Sequence, residues 1–228
     1  MNTNQKTWLF ALAAASASAL VTSPAAAADT TGWSAFGGFT SVQPNVKSGT
    51  LSAPSLPGTQ VDVGNASALT GGVSYDLNTN VRFTLAILAT PFKHDVTGAG
   101  AIAGVGKIGS VKQFPPTAFA QYRFGAADSL FRPYVGVGLT YAYLFGAQGS
   151  GTLTAITNPG GTPTKLSVKS NFGFTPQLGA TYDIGPKWFV DANVFKTFVK
   201  TTNTLSTGQS INIKLDPLGF NLWVGYRF

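Results

Sequence analysis

Few side chains in this sequence could carry out acid–base or nucleophilic chemistry. The one histidine, His94, stands beside Asp95, and hydroxyl residues are abundant, so a histidine-activated serine or threonine is one reading. The chain has neither cysteine nor glutamate, which excludes disulfides, thiol nucleophiles and cysteine metal sites. Because a single histidine leaves little choice for a catalytic triad, we expect no catalytic residue, no metal and no cofactor.

A second group of charged residues can form ion pairs instead. Arginines and aspartates recur within a few residues of short, turn-like segments. A buried guanidinium is costly unless a carboxylate accepts its hydrogen bonds. We therefore predict a polar floor at one end of the fold, with a solvated rim as the alternative. The floor residues are Asp76, Arg82, Arg123, Arg132, Asp183 and Arg227.

The N-terminal segment is typical of a secretory signal peptide. Lys6 supplies a positive charge, residues 8–21 are apolar, and Ala26-Ala27-Ala28 is a small-residue cleavage pattern. We predict that residues 1–28 are cleaved and that residues 29–228 form one domain. Charged residues make up 10% of the chain, against about 25% in soluble domains. Past residue 28 no apolar run approaches the ~18 residues of a membrane helix, so a closed β-barrel is the remaining way to cross a bilayer.

Alternation of apolar and polar residues favours that architecture. Residues 131–145 and 166–184 each place apolar side chains on one face and mostly small or polar ones on the other. We predict an all-β fold: an eight-stranded antiparallel transmembrane β-barrel with short periplasmic turns and longer extracellular loops. A soluble sandwich is the alternative, but it would not expose aromatics on nearly every strand. The other six strands are predicted at 33–43, 64–76, 81–94, 111–124, 187–200 and 211–228.

The long connections between these strands have the composition of flexible loops. They are rich in Gly, Ser, Thr, Asn and Pro. In the last strand the apolar phase slips at Asp216-Pro217, which predicts a bulge or another strand irregularity. The long connections are residues 44–63, 95–110, 146–165 and 201–210.

Four motifs occur together along the chain. They are Leu88-Ala89-Thr90-Pro91-Phe92-Lys93-His94, Pro115-Pro116-Thr117, Phe131-Arg132-Pro133-Tyr134-Val135-Gly136, and Leu215-Asp216-Pro217 with the ending Gly225-Tyr226-Arg227-Phe228. With these motifs the mature chain resembles the OmpW family of small outer-membrane barrels, which includes the AlkL-type alkane importers. It departs from the family at Gln113-Phe114, where His-Leu usually precedes Pro-Pro-Thr. The resemblance implies a Gram-negative outer-membrane protein with a narrow, hydrophobic channel, which passes small apolar molecules inward and releases them sideways into the bilayer.

Lumen-facing residues can be chosen by their parity along the strands. An eight-stranded barrel holds only side chains or one small ligand, so a wide aqueous pore is excluded. Large apolar residues of that parity can line an apolar passage, or they can simply fill the core. The predicted channel-lining residues are Leu88, Phe92, Phe119, Leu144, Phe189, Phe195 and Trp223.

Three prolines mark a candidate weak point in the barrel wall. Pro91 falls on the third strand and Pro115 and Pro116 on the fourth, and an unshifted register places Pro91 roughly opposite Pro115. Because proline cannot donate to the strand ladder, we predict a lateral opening at this seam. An ordinary bulge that shapes the barrel is the alternative.

Lysines concentrate in or near the predicted outer loops. There they can meet lipopolysaccharide phosphates, or form a solvated basic surface. We expect membrane lipids, lipopolysaccharide and a small hydrophobic substrate as partners, no nucleic acid, and a monomer. Two rival functions stay open: a structural or adhesive barrel whose loops bind a partner, and a lipid-modifying enzyme built on His94. The lysines are Lys47, Lys93, Lys107, Lys112, Lys165, Lys169, Lys200 and Lys214.

Overall fold

The computed structural model describes residues 31–228, so the predicted signal peptide, residues 1–28, lies outside the described residues. No helix in this described part is long and apolar enough to cross a membrane.

The described residues form fifteen strands and one helix. In chain order the elements are β1 (Gly32–Gln43), β2 (Lys47–Ser48), β3 (Thr59–Val63), β4 (Ala66–Asp76), β5 (Val81–Leu88), β6 (Phe92–Gly100), β7 (Lys107–Phe114), β8 (Thr117–Arg123), β9 (Phe131–Gly149), α1 (Gly151–Thr157), β10 (Leu166–Val168), β11 (Asn171–Asp183), β12 (Trp188–Lys196), β13 (Lys200–Leu205), β14 (Ser210–Lys214) and β15 (Leu218–Arg227).

Eight of these strands form a closed ring. Antiparallel pairing runs β1–β4–β5–β8–β9–β11–β12–β15. The ring closes between β15 and β1, from Ser34 opposite Arg227 to Gln43 opposite Leu218. The predicted eight-stranded antiparallel barrel is therefore confirmed. Closure leaves no free strand edge within the ring, as a sheet surrounded by lipid requires.

The barrel continues upward on its extracellular side. There β3, β6 and β7 extend the ring beside the upper part of β9, and β10, β13, β14 and β2 form a second, four-stranded sheet. The helix α1 follows β9 and begins after Ser150, whose hydroxyl accepts a hydrogen bond from the Leu153 amide. The long connections exceed the periplasmic turns in length, as predicted. They are not flexible loops, however, because they contain β2, β3, α1 and most of β13.

The apolar face changes along the height of the barrel. The inward parity continues through most strands, but it shifts by one residue near Gly146 in β9 and between β10 and β11. Leu166 and Val168 therefore face inward, and the single alternating run predicted for residues 166–184 is wrong at its start. In the lower part of β9, Val137 and Leu139 are exposed on the outer surface while Thr140 is buried in the lumen. In β14, Ile211 and Ile213 are buried inside and the residues between and after them are exposed. Lipid surrounds the lower strands and water the upper ones, so the apolar residues move from the outer face to the inner face.

The phase slip predicted at Asp216-Pro217 has two causes. The apolar residues move from the inner face in β14 to the outer face in β15, and the strand is locally irregular. Strand pairing is interrupted between β14 and β15, and Asp216 has a φ of 34°. The Asp216 carboxylate accepts a hydrogen bond from the amide of Val199 at 3.1 Å. Leu215 and Pro217 both stay on the inner side. The prediction of an irregularity is therefore confirmed.

Exposed aromatic rings surround the barrel near its short turns. Trp33 lies 5.0 Å from Tyr75, and Tyr226 lies 5.0 Å from Trp188 and 5.6 Å from Phe228, measured between ring centroids. Such rings are typical of the membrane interface, where an apolar body and a polar tip are both accommodated. They mark the periplasmic boundary of the lipid-facing wall.

Candidate functional site

A cavity of about 80 Å³ lies in the upper part of the barrel lumen, and we call it the lumenal cavity. Its wall is mainly apolar, and the polar side chains in it are chiefly threonine and asparagine. Each lining side chain belongs to the inward parity of its strand, except Ile87. Six of the predicted channel-lining residues contribute to it: Leu88, Phe92, Phe119, Leu144, Phe195 and Trp223.

Two phenylalanines of β12 owe their positions to glycines of β15. Phe195 is opposite Gly219 and Phe189 is opposite Gly225. A Cβ added to either glycine would come within 2.1 Å of the facing ring, so only glycine lets each ring lie flat on the sheet. Phe195 lines the lumenal cavity, whereas Phe189 lies lower. Its ring is 5.3 Å from the guanidinium of Arg82, so it belongs with the floor and is not among the lining residues of the cavity.

A second cavity of about 230 Å³, the outer cavity, lies above the first. Val96 and Asn203 line both cavities, so the two meet at these side chains. Sequence reasoning missed the outer cavity because its wall comes from segments with the composition of loops. A period of two in the apolar residues around β14 was the signal that could have revealed it. The apolar residues of its wall are Leu51, Leu56, Val61, Val96, Ile102, Ile108, Leu153, Ile156, Leu166, Leu205 and Ile211.

At the lower end of the lumenal cavity, where Thr40 and Asn221 still line it, hydrogen-bonded polar side chains cross the lumen. One chain runs from Tyr134, which donates to Asp191 at 2.9 Å, to Asn193, which donates to the same carboxylate at 2.8 Å. It continues from Asn221 to Asn193 at 2.7 Å and from Thr40 to Asn221 at 2.6 Å. All five residues are buried. An apolar ligand placed in this polar layer would break hydrogen bonds. The same level also holds the buried cluster of Phe36, Phe119 and Trp223, in which the rings of Phe36 and Trp223 stack at 4.4 Å.

The predicted floor residues meet at the periplasmic end, directly beneath the polar layer. Asp76 accepts two hydrogen bonds from Arg82, at 2.6 and 2.9 Å, and lies 3.0 Å from Arg123. Arg132 donates to the backbone oxygen of Thr79. These arginines are 2–4% exposed, so they form a buried floor and not a solvated rim.

The remaining floor pair is more accessible. Arg227 and Asp183 lie 2.6 Å apart, and their side chains are 24% and 22% exposed. The guanidinium of Arg227 lies 4.8 Å from the ring of Phe189, on which it therefore packs. All six floor residues predicted from the sequence thus lie at one end of the barrel, although four are deeply buried and these two are at the rim.

The barrel wall is irregular where the three prolines were predicted to meet. Pairing of β5 with β8 ends at Ala86 opposite Thr117 and resumes only at Phe92 opposite Gln113. Residues 87–91 on one side therefore face only residues 114–116 on the other. The register shift places Pro91 at the level of Phe114, and not opposite Pro115 as an unshifted register would.

At this irregularity the lumenal cavity reaches the outer wall. Pro115 and Ile87 both line the cavity, yet the Ile87 side chain is on the outward parity of β5 and is 43% exposed. On their other side the prolines face β9, and that seam stays closed, because the amide of Tyr141 donates to the carbonyl of Pro116 at 3.0 Å. The gap in the ladder is therefore confined to the β5 side of the prolines.

His94 lines the lumenal cavity, and its hydrogen-bond partners within residues 31–228 are a backbone carbonyl and an amide side chain. Its Nδ1 is 2.8 Å from the carbonyl oxygen of Gly64 and its Nε2 is 3.0 Å from the side-chain oxygen of Gln113. The neighbouring carboxylate, Asp95, pairs with Lys107 at 2.6 Å on the exposed surface. The histidine, aspartate and hydroxyl of a hydrolytic triad are therefore not assembled here. Gln113 belongs to the Gln113-Phe114 pair noted above, and it is one of the two groups that hydrogen-bond with His94.

A closed barrel with an apolar outer wall, aromatic girdle and narrow lumen defines a small outer-membrane β-barrel protein. Residues 35–228 match the OmpW family, and the chain belongs to that family. It is 36% identical over 160 residues to outer membrane protein W of Vibrio cholerae, covering 68% of this chain and 71% of that protein. We conclude that it is located in the outer membrane of a Gram-negative bacterium.

Two further comparisons agree with this assignment. The "Dibenzothiophene metabolism operon protein PahQ" of Pseudomonas aeruginosa is 27% identical over 185 residues, covering 78% of this chain and 79% of that protein. The crystal structure of the outer membrane protein OprG from Pseudomonas aeruginosa superposes with a TM-score of 0.78 at 23% identity, covering 88% of this chain and 97% of that one. At that identity the structural similarity establishes the fold alone.

Proposed function

We propose that this barrel admits small hydrophobic molecules from outside the cell and releases them sideways into the outer membrane. The observation that carries the proposal is the lumenal cavity, which is apolar, ends on a polar layer and touches the outer wall at Ile87. A molecule that leaves water for an apolar wall gains roughly 25 cal/mol for each Å² of apolar surface it buries. The outer cavity supplies the first such wall.

The route cannot continue straight down for an apolar molecule. The polar layer around Asp191 and the buried arginines below it would lose hydrogen bonds or ion pairs to make room. The interrupted ladder between β5 and β8 lacks those costs, because residues 87–91 and 114–116 are already unpaired with one another. Sideways release therefore needs only side-chain movement at Ile87 and Pro115.

The substrate class follows from the lining of the cavities. Aliphatic and aromatic side chains without charge select against ions and favour compact apolar molecules. The name of its relative PahQ, which refers to dibenzothiophene metabolism, fits an apolar aromatic substrate. The two cavities favour transport over a purely structural barrel, whose interior would be filled. The partners of His94 give no support to a lipid-modifying enzyme.

The transport step is tested by uptake of radiolabelled naphthalene into cells with and without the protein. Phe195→Arg places a charge in the lumenal cavity and should lower protein-dependent uptake roughly tenfold or more, because an apolar molecule then meets an unpaired charge. Thr204→Arg adds the same charge to the exposed outer face of β13 and should leave uptake unchanged. Equal uptake in cells with the protein, without it and with Phe195→Arg would contradict the proposal.

The lateral exit is tested with a cysteine pair across the irregular seam, in a chain that has no cysteine of its own. Oxidising Ile87→Cys with Pro116→Cys should reduce uptake, and a reducing agent should restore it. The matched control is Leu85→Cys with Ala118→Cys, which are direct partners in the closed ladder below. Its oxidation should leave uptake unchanged. Full uptake through the Ile87–Pro116 cross-link would mean that substrate leaves elsewhere.

A further inference from the structure

Four lysines cluster on the outer surface of the second sheet, and we call this the lysine face. It consists of Lys47, Lys169, Lys200 and Lys214. Lys200 is directly opposite Lys214, and Lys214 is directly opposite Lys47. The amide of Lys169 donates to the carbonyl of Thr202 at 3.0 Å, which puts this lysine in the neighbouring row. All four side chains are exposed.

The strand registers place like charges side by side without compensation. Directly opposed lysines on antiparallel strands repel one another and destabilise the pairing. Among residues 31–228, none of the four lysines forms an ion pair with a carboxylate. Lys107, by contrast, is paired with Asp95 at 2.6 Å. The repulsion within this row of three unpaired lysines lowers the stability of the fold. An anion bound across the row would neutralise the charges and remove that repulsion.

The lysine face stands immediately above the lipid-facing wall. Phe198 and Phe172 are 47% and 60% exposed on the outer surface, and Lys200 follows Phe198 by two residues on the same face of its chain. Lys196 already packs on the Phe198 ring, with its Nζ 5.4 Å from the ring centroid. Above these rings the outer face of the sheet carries only polar residues and the lysines. This height is that of the lipid headgroups in the outer leaflet.

A groove of about 600 Å³ runs along the lysine face. Gly49 leaves space at one end, and Thr202 and Asn212 line its middle. The Thr202 hydroxyl donates to the Asn212 side-chain oxygen at 2.7 Å, which holds these two side chains together in the row of Lys169, next to the row of three lysines. The groove therefore presents ammonium groups along its length and polar side chains at its base.

We propose that the lysine face binds the phosphate groups of lipopolysaccharide in the outer leaflet. The charge complements a lipid that carries more than one phosphate, and the position above the aromatic rings suits a ligand whose acyl chains lie against the barrel wall. Of the other outer lysines, Lys93 and Lys112 are also directly opposed, but they form a pair and not a row of three, and only the lysine face has a groove along its lysines. This site is separate from the lumen, so it does not depend on the proposed transport.

The test compares two triple variants of the whole folded barrel in detergent. Lys47→Gln, Lys200→Gln and Lys214→Gln remove the opposed row, and Lys107→Gln, Lys165→Gln and Lys187→Gln remove the same charge elsewhere. The first should weaken binding of phosphorylated lipopolysaccharide by about 100-fold at low salt, because each of the three lysines lost contributes about fivefold. The control should change it by less than about threefold.

Further arms identify the ligand. Lipopolysaccharide stripped of phosphate should bind the native barrel weakly. Its affinity should be no higher than the affinity of the row variant for intact lipopolysaccharide. Inorganic phosphate at equal concentration should not compete, and competition would assign the site to free phosphate instead. If the two triple variants lose the same affinity, the effect is one of net charge and the proposal is overturned. Unchanged binding by the row variant would also overturn it.

A second measurement applies without any affinity assay. Phosphorylated lipopolysaccharide should raise the thermal unfolding midpoint of the native barrel and of the control triple variant, because it binds only the folded state. The same addition should raise the midpoint of the row variant much less. In the absence of lipid the row variant should be no less stable than the native barrel, since it loses repulsion only. A lipid-induced rise of equal size in all three proteins would contradict the lysine face as the site.

Discussion

The lower and upper halves of the lumen are built from the same strands but have opposite chemistry. In the lower half, polar side chains such as Asp191 and Asn193 face inward and are joined by hydrogen bonds. In the upper half, Ile213 and Leu205 face inward and pack in one apolar cluster. The outer surfaces are reversed, with exposed apolar side chains below and polar ones above.

This reversal follows from the two environments outside the barrel. Lipid accepts apolar side chains, so the lower strands can place them outward and still leave room for polar residues within. Water does not, so the upper strands must bury theirs against one another. An apolar interior in the upper barrel is thus a direct consequence of extending the barrel above the membrane. The same extension creates the outer cavity and the lysine face.

Breaking the buried ion pairs of the lower half should have the largest effect on stability. Asp76→Ala leaves Arg82 and Arg123 without their carboxylate in a site where both are buried. We expect a loss of about 4 kcal/mol in the free energy of unfolding, because an unpaired buried charge is left behind. Urea unfolding of the detergent-solubilised barrel measures it.

The matched control is Asp183→Ala, which removes a carboxylate from the more exposed pair with Arg227. Water can replace part of that interaction, so a loss of about 1 kcal/mol is expected. If the two variants lose the same stability, the floor is solvated and its burial is not the reason for its charges.

Placing a polar group in the upper half should cost somewhat less. Ile213 is 2% exposed within the apolar cluster, and Ile213→Asn removes buried methyl groups and adds an amide without a partner. We expect a loss of about 3 kcal/mol in the free energy of unfolding. Thr204→Asn, on the exposed face of the neighbouring strand, should change stability by less than about 0.5 kcal/mol. A small effect of Ile213→Asn would show that the upper interior is wet.

Removing a hydroxyl from the lower half should have the smallest effect. Thr175 is 1% exposed, and its hydroxyl lies 2.6 Å from that of Thr140 and 3.1 Å from that of Thr197. Thr175→Val keeps the shape but leaves both neighbours a partner short, at a cost of about 1–2 kcal/mol. Thr204→Val, which faces outward, is the control and should be neutral. A stabilised Thr175→Val barrel would mean that the hydrogen bonds among these three threonines do not stabilise the fold.

Much of the lower barrel could be predicted from the sequence. Each lipid-facing strand alternates over its whole length, as in residues 131–145, and the short turns place the arginines at one end. The upper barrel was misread because its segments are short and rich in Thr, Asn and Gly. There the apolar residues of β14 are inward, so the alternation had the opposite sense to the one expected of a strand in lipid.

In the lower barrel the sequence by itself determined the strand parity, and therefore which side chains enter the lumen, because a strand repeats every two residues. Tertiary structure decided how those side chains meet. Asp76 pairs with two arginines only because its strand and theirs are adjacent in the ring. Phe189 joins the floor because Gly225 is opposite it. The register shift around Pro91 and Pro115, and the alignment of Lys47, Lys200 and Lys214, depend on strand pairing across the fold, which no local pattern specifies.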